Sequence, residues 1–192
     1  VACAYGRQWN QLWRNDGGLR FTDVAEAVGF DGDDDESGVY PAEIRKDPRL
    51  KDREDEQPFR ANGNTFDAPA ADFDGDGDLD VFLGEITHWW AGPSSDRSTL
   101  LVNQGGGGGW RLVREERGIV RTHEAARWNQ GDIFAGWIDL GSDGLEDLFI
   151  ASGDYPDDQR LRFFVQGADH RFTDGTKELA VDWSNCSQPT VA

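Results

Sequence analysis

Five aspartates alternate with other residues in the stretch Asp72-Phe-Asp-Gly-Asp-Gly-Asp-Leu-Asp80. Asp72, Asp74, Asp76 and Asp80 hold positions 1, 3, 5 and 9 of this nine-residue segment. A loop that curls around a hard cation can offer alternate side chains and one backbone carbonyl, and Asp78 at position 7 would give that carbonyl. Calcium accepts about six to eight oxygens at adaptable distances, whereas magnesium wants a tighter octahedral shell with more retained water, so the pattern favours Ca2+. Gly75 and Gly77 permit the sharp curvature. An EF-hand would need a bidentate Glu at position 12 and helices on both sides. Position 12 is Leu83, inside the short apolar run Val81-Phe-Leu83, so the sequence predicts strand, loop, strand.

A weaker copy follows at Asp139-Leu-Gly-Ser-Asp-Gly-Leu-Glu-Asp147. Asp139, Asp143 and Asp147 keep positions 1, 5 and 9, and Leu145 would supply the position-7 carbonyl. Position 3 is Gly141, which has no side-chain ligand. A weaker site, a water in place of the missing carboxylate, and no metal at all are each compatible with this pattern. Acidic turns can also be simply solvated, which is the competing reading of both segments.

Catalytic signatures are missing from the sequence. His123-Glu-Ala-Ala-Arg127 has Arg where a zinc helix motif requires its second His. The glycine run at residues 105–109 lacks the Gly-Lys-Ser/Thr of a phosphate loop and reads as a flexible hairpin loop. His88, His123 and His170 are scattered, and neither Cys3 nor Cys186 sits in a nucleophile context. The two cysteines could pair in an oxidising compartment or remain as separate thiols. Asn185-Cys-Ser187 fits a glycosylation triplet. His88-Trp-Trp90, Trp110, Trp128, Trp137 and Trp183 could form an aromatic platform for sugars or cations, or could fill a core.

The elements that must hold these loops are legible in the composition and in repeats. Acidic residues outnumber basic ones 37 to 19, a formal net charge of −18. That excludes the basic footprint of a nucleic-acid binder and disfavours anionic membrane. No apolar run approaches the ~20 residues of a helical membrane span. Gly-rich turns between short aromatic and β-branched runs predict an all-β fold. Three stretches share one grammar of short apolar strand, loop, second strand, tight turn and third strand. They begin at Val1-Ala-Cys-Ala-Tyr-Gly6, Asp80-Val-Phe-Leu-Gly84 and Asp147-Leu-Phe-Ile-Ala151, with Asn15, Asn103 and Gln166 at matching hairpin points. Asn15-Asp-Gly17 is a hairpin-turn signal, and the alternation in Leu19-Arg-Phe-Thr-Asp-Val24 predicts a strand with one buried face.

The acidic stretch 31–67 reads as a solvated loop insertion on one rim, with Asp31, Asp33 and Asp35 as a second but unframed acidic cluster. The chain opens without Met, in the middle of an apolar run, so the start reads as processed or as part of a larger molecule.

At these loops and hairpins the chain resembles the FG-GAP/VCBS repeat family, found in integrin α-subunit propellers, in cartilage acidic protein and in secreted bacterial proteins. The family pattern is Asp-x-Asp-x-Asp-Gly-x-x-Asp, an apolar strand, then a hairpin shaped like Leu-x-x-Asn-x-Gly. The 72–80 loop matches it fully, the 139–147 loop matches three of four carboxylate positions, and the hairpins match at Asn15 and Asn103. Residues 85–93 with 98–103 look closest to a bacterial branch similar to cartilage acidic protein. The resemblance implies β-propeller blades of four-stranded antiparallel sheets, with calcium loops between the first two strands of each blade. Registered on the repeats, the chain would carry an incomplete blade at 1–30, the insertion at 31–67, a blade at 68–130, and a blade at 131–192 running into the next. That is about three blades of a larger propeller, whose other blades would be its first partners. The expected role is a secreted, non-enzymatic, calcium-stabilised adhesion or interaction module for a protein, matrix or glycan partner. Carbohydrate recognition or cleavage, and a structural subunit of an extracellular assembly, are the alternatives.

Overall fold

Alternation along the apolar strands sets this architecture, because successive side chains face opposite sides of a sheet. The computed structural model describes residues 9–31, 65–87, 98–113, 116–119, 130–152 and 161–180. Among these residues, eleven strands and one short helix run in the order β1 (Trp13–Gly17), β2 (Arg20–Asp23), α1 (Ala25–Val28), β3 (Thr65–Asp67), β4 (Ala70–Ala71), β5 (Asp80–Thr87), β6 (Thr99–Asn103), β7 (Trp110–Val113), β8 (Gln130–Ile138), β9 (Asp147–Ser152), β10 (Leu161–Gln166) and β11 (Phe172–Asp174). The fold is all-β and its sheets are antiparallel.

Two antiparallel meanders make up most of it. In the first, β3 and β4 form a broken first strand beside β5, followed by β6 and β7. The second is β8-β9-β10-β11. The expected insertion gives its last three residues to β3, and residues 32–64 of it lie outside the described residues. A short ladder, Ile86↔Gly131 and Thr87↔Gln130, joins the meanders at one end. Their first strands also meet through side chains: Asp67 Oδ2 accepts from the Ala135 amide at 2.9 Å, and Trp137 Nε1 donates to the Pro69 carbonyl at 3.1 Å.

Both faces of the first meander are apolar and buried. Phe82, Leu100, Val102 and Val113 join Ala135, Leu148, Ile150, Phe164 and Phe172 in the core between the meanders. Their alternates Val81, Leu83 and Leu101 face the other way, onto Ala25 and Phe30. Phe149, Ala151 and Leu161 form a separate cluster on the opposite face of the second meander. A strand buried on both faces loses strict polar alternation, which explains runs such as Val81-Phe-Leu83 and Leu148-Phe-Ile-Ala151.

The first hairpin departs from its predicted form. The strands run through Asn15 and Gly17, and the turn falls at Gly18 and Leu19. Asn15 Oδ1 accepts from the Gly17 amide at 2.9 Å, so the Asn-Asp-Gly signal is used for a bulge that delays the turn. Leu19 takes φ 59° and is 94% exposed. Arg20–Asp23 is exposed on both faces rather than buried on one, with Phe21 at 54%. The 105–109 glycine run is an ordered turn, closed by Gln104 N to Gly109 O and Gly108 N to Gly105 O.

Candidate metal centre

The 72–80 loop connects β4 to β5, and the 139–147 loop connects β8 to β9, the same place in each meander. Their registers correspond, Ala71 opposite Asp80 and Ile138 opposite Asp147. Inside each loop the aspartates first satisfy backbone amides, which is what short acceptors in tight turns do. Asp72 Oδ2 accepts from Gly77 N and Asp139 Oδ2 from Gly144 N, both at 3.0 Å. Asp76 Oδ1 accepts from Asp78 N at 2.9 Å, and Asp143 Oδ1 from Leu145 N at 3.0 Å. Asp80 Oδ1 accepts from Asn103 N at 2.8 Å, and Asp147 Oδ1 from Gln166 N at 2.7 Å. The hairpin residues that marked the repeat thus have a structural cause: their amides anchor the last aspartate of each loop. Gly75 at φ 72° corresponds to Ser142 at φ 53°, so the second loop holds a non-glycine residue in the left-handed region.

The loops part at position 3. Asp72, Asp74 and Asp80 bring one ligand oxygen each to within 4.8 Å of one another. Each also has a buried oxygen without a well-formed hydrogen bond: Asp72 Oδ1, Asp74 Oδ1 and Asp80 Oδ2. Asp80 is 1% exposed. Burial, followed by the charges of Asp74 and Asp76, raises its pKa to about 6, against the opposing pull of the Asn103 and Phe73 amides. In the second loop Gly141 replaces Asp74, and the corresponding oxygen, Asp139 Oδ1, accepts from Asp143 N at 3.1 Å. Asp147 Oδ2 likewise accepts from Leu140 N at 3.0 Å. Among the described residues only the first loop gathers three acidic ligands at one point. Asp76 lies outside that trio, and the Asp78 carboxylate turns towards the β6–β7 turn. A Cβ on Gly105 would stand 2.7 Å from Asp78 Oδ2, and Gly105 has φ 61°, so a side chain there would be strained and would displace the Asp78 carboxylate.

Compared with known proteins, the chain matches no family model and no curated sequence.

Spacing alone missed Phe73 and the side-chain role of Gln166. Phe73, at loop position 2, is 2% exposed and lies in the core between the meanders. Its ring stacks on Trp137 at 6.2 Å between centroids and sits 5.9 Å from Phe172, with the Arg117 guanidinium 5.5 Å above it. Gln166 Nε2 donates to the carbonyls of Phe73 and Glu146, at 3.0 and 2.9 Å, and its Oε1 meets His170 Nδ1 at 3.0 Å. Phe73 sat in view between two ligands; its apolar character in an acidic loop was the available signal.

A buried polar cluster was missed as well. Asp132, fully buried, accepts from Ser98 Oγ at 2.5 Å and from Ser152 Oγ at 2.9 Å. Ser98 Oγ in turn accepts from the Glu85 amide at 3.0 Å, and Thr65 Oγ1 donates to Glu85 Oε1. Of the unframed acidic cluster, Asp31 is buried, lining a cavity of about 230 Å³ with Trp9, Asn10, Gln11, Asp23 and Glu26. Asp33 and Asp35 lie outside the described residues, as do Cys3, Cys186, Asn185, His88, His123, Trp89, Trp90, Trp128 and Trp183. Trp110 and Trp137 are packed against Phe30 and Phe73 instead of forming a shared platform. No helix among the described residues is long and apolar enough to cross a membrane.

Proposed function

We propose that this chain is a calcium-stabilised β-propeller module whose principal metal loop is residues 72–80. The observation that carries the metal reading is the convergence of Asp72, Asp74 and Asp80, each with a buried oxygen that lacks a hydrogen bond. Buried carboxylate oxygens without donors are costly, and a divalent cation removes that cost by bonding to all three. Backbone carbonyls, Asp76 and water complete an all-oxygen shell of the kind calcium accepts. The 139–147 loop, with Asp139, Asp143, Asp147 and the Leu145 carbonyl, is the subordinate site, short of its position-3 ligand.

The propeller reading draws support from two successive four-strand meanders stacked face to face with their first strands adjacent. Each meander has its Asp loop between its first and second strands. In such a module the cation rigidifies the loop, and an exposed rim or face binds a protein, matrix or glycan partner in the extracellular space. Calcium there is plentiful enough to load a site of modest affinity.

The test is thermal melting with calcium and with chelator. At a hundredfold excess over Kd, a cation bound only by the folded state stabilises by roughly 2.7 kcal/mol. Asp74→Ala is expected to abolish the calcium-dependent rise while the metal-free protein still folds. A melt that ignores both calcium and EDTA overturns the reading.

A further inference from the structure

The 72–80 loop belongs to the first meander, yet one of its peptides is held by the second. Phe73 stands between the ligands Asp72 and Asp74, and its carbonyl accepts from Gln166 Nε2 at 3.0 Å, across 93 residues of sequence. Gln166 is 4% exposed, and both of its side-chain N–H groups are used in hydrogen bonds to backbone carbonyls. Its second donor bond goes to Glu146 O in the other Asp loop, its oxygen faces His170, and its own amide donates to Asp147. The Phe73 ring is also packed against Trp137, Phe172 and the Arg117 guanidinium. Rotation of the 73–74 peptide would move Asp74 directly, and these contacts fix that peptide.

We infer that Gln166 is a positioning residue for cation binding at the 72–80 loop, so that this site is completed across the interface between the meanders. The inference rests on the calcium reading above and adds to it a residue that touches no metal. Groups that orient ligands without contacting the ion commonly govern about 10- to 100-fold in metal affinity. Linkage makes the effect reciprocal: a cation that orders the Phe73 peptide tightens the contact with β10, and a docked β10 raises cation affinity.

The experiment is a terbium titration of the full chain, terbium standing in for calcium, with luminescence sensitised by Trp137 beside the loop. Two variants are compared with the wild type. Gln166→Glu keeps the shape and the acceptor facing His170 but cannot donate to both carbonyls, and Gln166→Met keeps the volume without polar atoms. Near-ultraviolet circular dichroism of the metal-free proteins establishes that each is folded. Both are expected to weaken terbium about tenfold or more. A Kd within twofold of wild type in a folded variant overturns the inference. Should neither variant fold, hydrogen exchange of the wild-type protein decides: calcium is expected to slow exchange in residues 166–172 together with 72–80, and protection confined to 72–80 overturns the inference. Wild-type protein that binds no terbium overturns the calcium reading itself; wild-type binding with unaltered variants overturns only the role of Gln166.

Discussion

Gln166 and Phe73 are joined by a buried hydrogen bond, Nε2 to carbonyl at 3.0 Å, that ties the second meander to the acidic loop of the first. The Phe73 side chain points into the same interface, in contact with Trp137 and Phe172. Loop conformation and sheet docking therefore share one residue, and the consequences can be measured.

Removing the Phe73 ring should be costly. Phe73→Ala leaves a void in the core between the meanders, with an expected loss of about 3–5 kcal/mol by urea denaturation. Phe73→Leu, which places in the first loop the residue that the second carries as Leu140, should lose less than half of that. Equal losses for the two would contradict this and show that aliphatic volume cannot replace any of the ring's contacts.

Asp80 gives the metal-free protein a pH dependence of defined sign. Its pKa is raised to about 6 from an ordinary 3.8, so ionising it opposes folding. Its contribution favours the folded state fully below about pH 4 and is lost as pH rises towards and through 6. Asp80→Asn, measured in EDTA, should therefore gain stability relative to wild type at pH 7.5, with the gain shrinking as the pH falls to 4. Chemical denaturation at several pH values tests this, and a gain that grows on acidification would contradict it. The same proton competes with the cation, so calcium affinity should decline as pH falls through 6.

Position 3 decides how the loops differ. Gly141 has no strained φ, and a Cβ there would meet the Asp143 carboxylate at an ordinary 3.4 Å. Gly141→Asp should restore the missing ligand, raising the stoichiometry or the affinity of the weaker phase in a calcium titration by calorimetry. In chelator the same variant should be less stable than wild type, since it adds a carboxylate beside Asp143. A titration indistinguishable from wild type would remove the second loop from the list of latent sites.

Asp132 should be structurally indispensable. It accepts from Ser98 and Ser152 with no solvent exposure, so Asp132→Ala removes an acceptor from two buried hydroxyls and opens a void. The expected loss is about 3–5 kcal/mol in urea, with Asp132→Asn retaining part of it. A loss below about 1 kcal/mol would show that the cluster relaxes or hydrates without penalty.

Much of this was legible in the residues. The short apolar runs Val81-Phe-Leu83 and Leu148-Phe-Ile-Ala151 predicted strands, and the Asp spacing predicted a loop and a weaker copy of it ahead of β5 and β9. Asn103 and Gln166 were visible as repeat markers, though not as amide donors to Asp80 and Asp147. The Asn15-Asp-Gly17 signal marked a hairpin correctly but not its turn, because the same dipeptide chemistry also builds bulges.

The sequence by itself determined local features: the short apolar runs that become strands, and the positions and ligand spacing of the two Asp loops. Those follow from spacing along one short stretch of backbone, where distances are set by covalent geometry. Only the tertiary structure decided that Asp80 is buried, that Phe73 serves as a wedge, that Asp132 gathers Ser98 and Ser152, and that Gln166 reaches the other meander's loop. Each of these depends on which two surfaces meet, and that is fixed by packing across the whole chain. The acidic loop that spacing identified as a calcium candidate is thereby also a joint between two sheets.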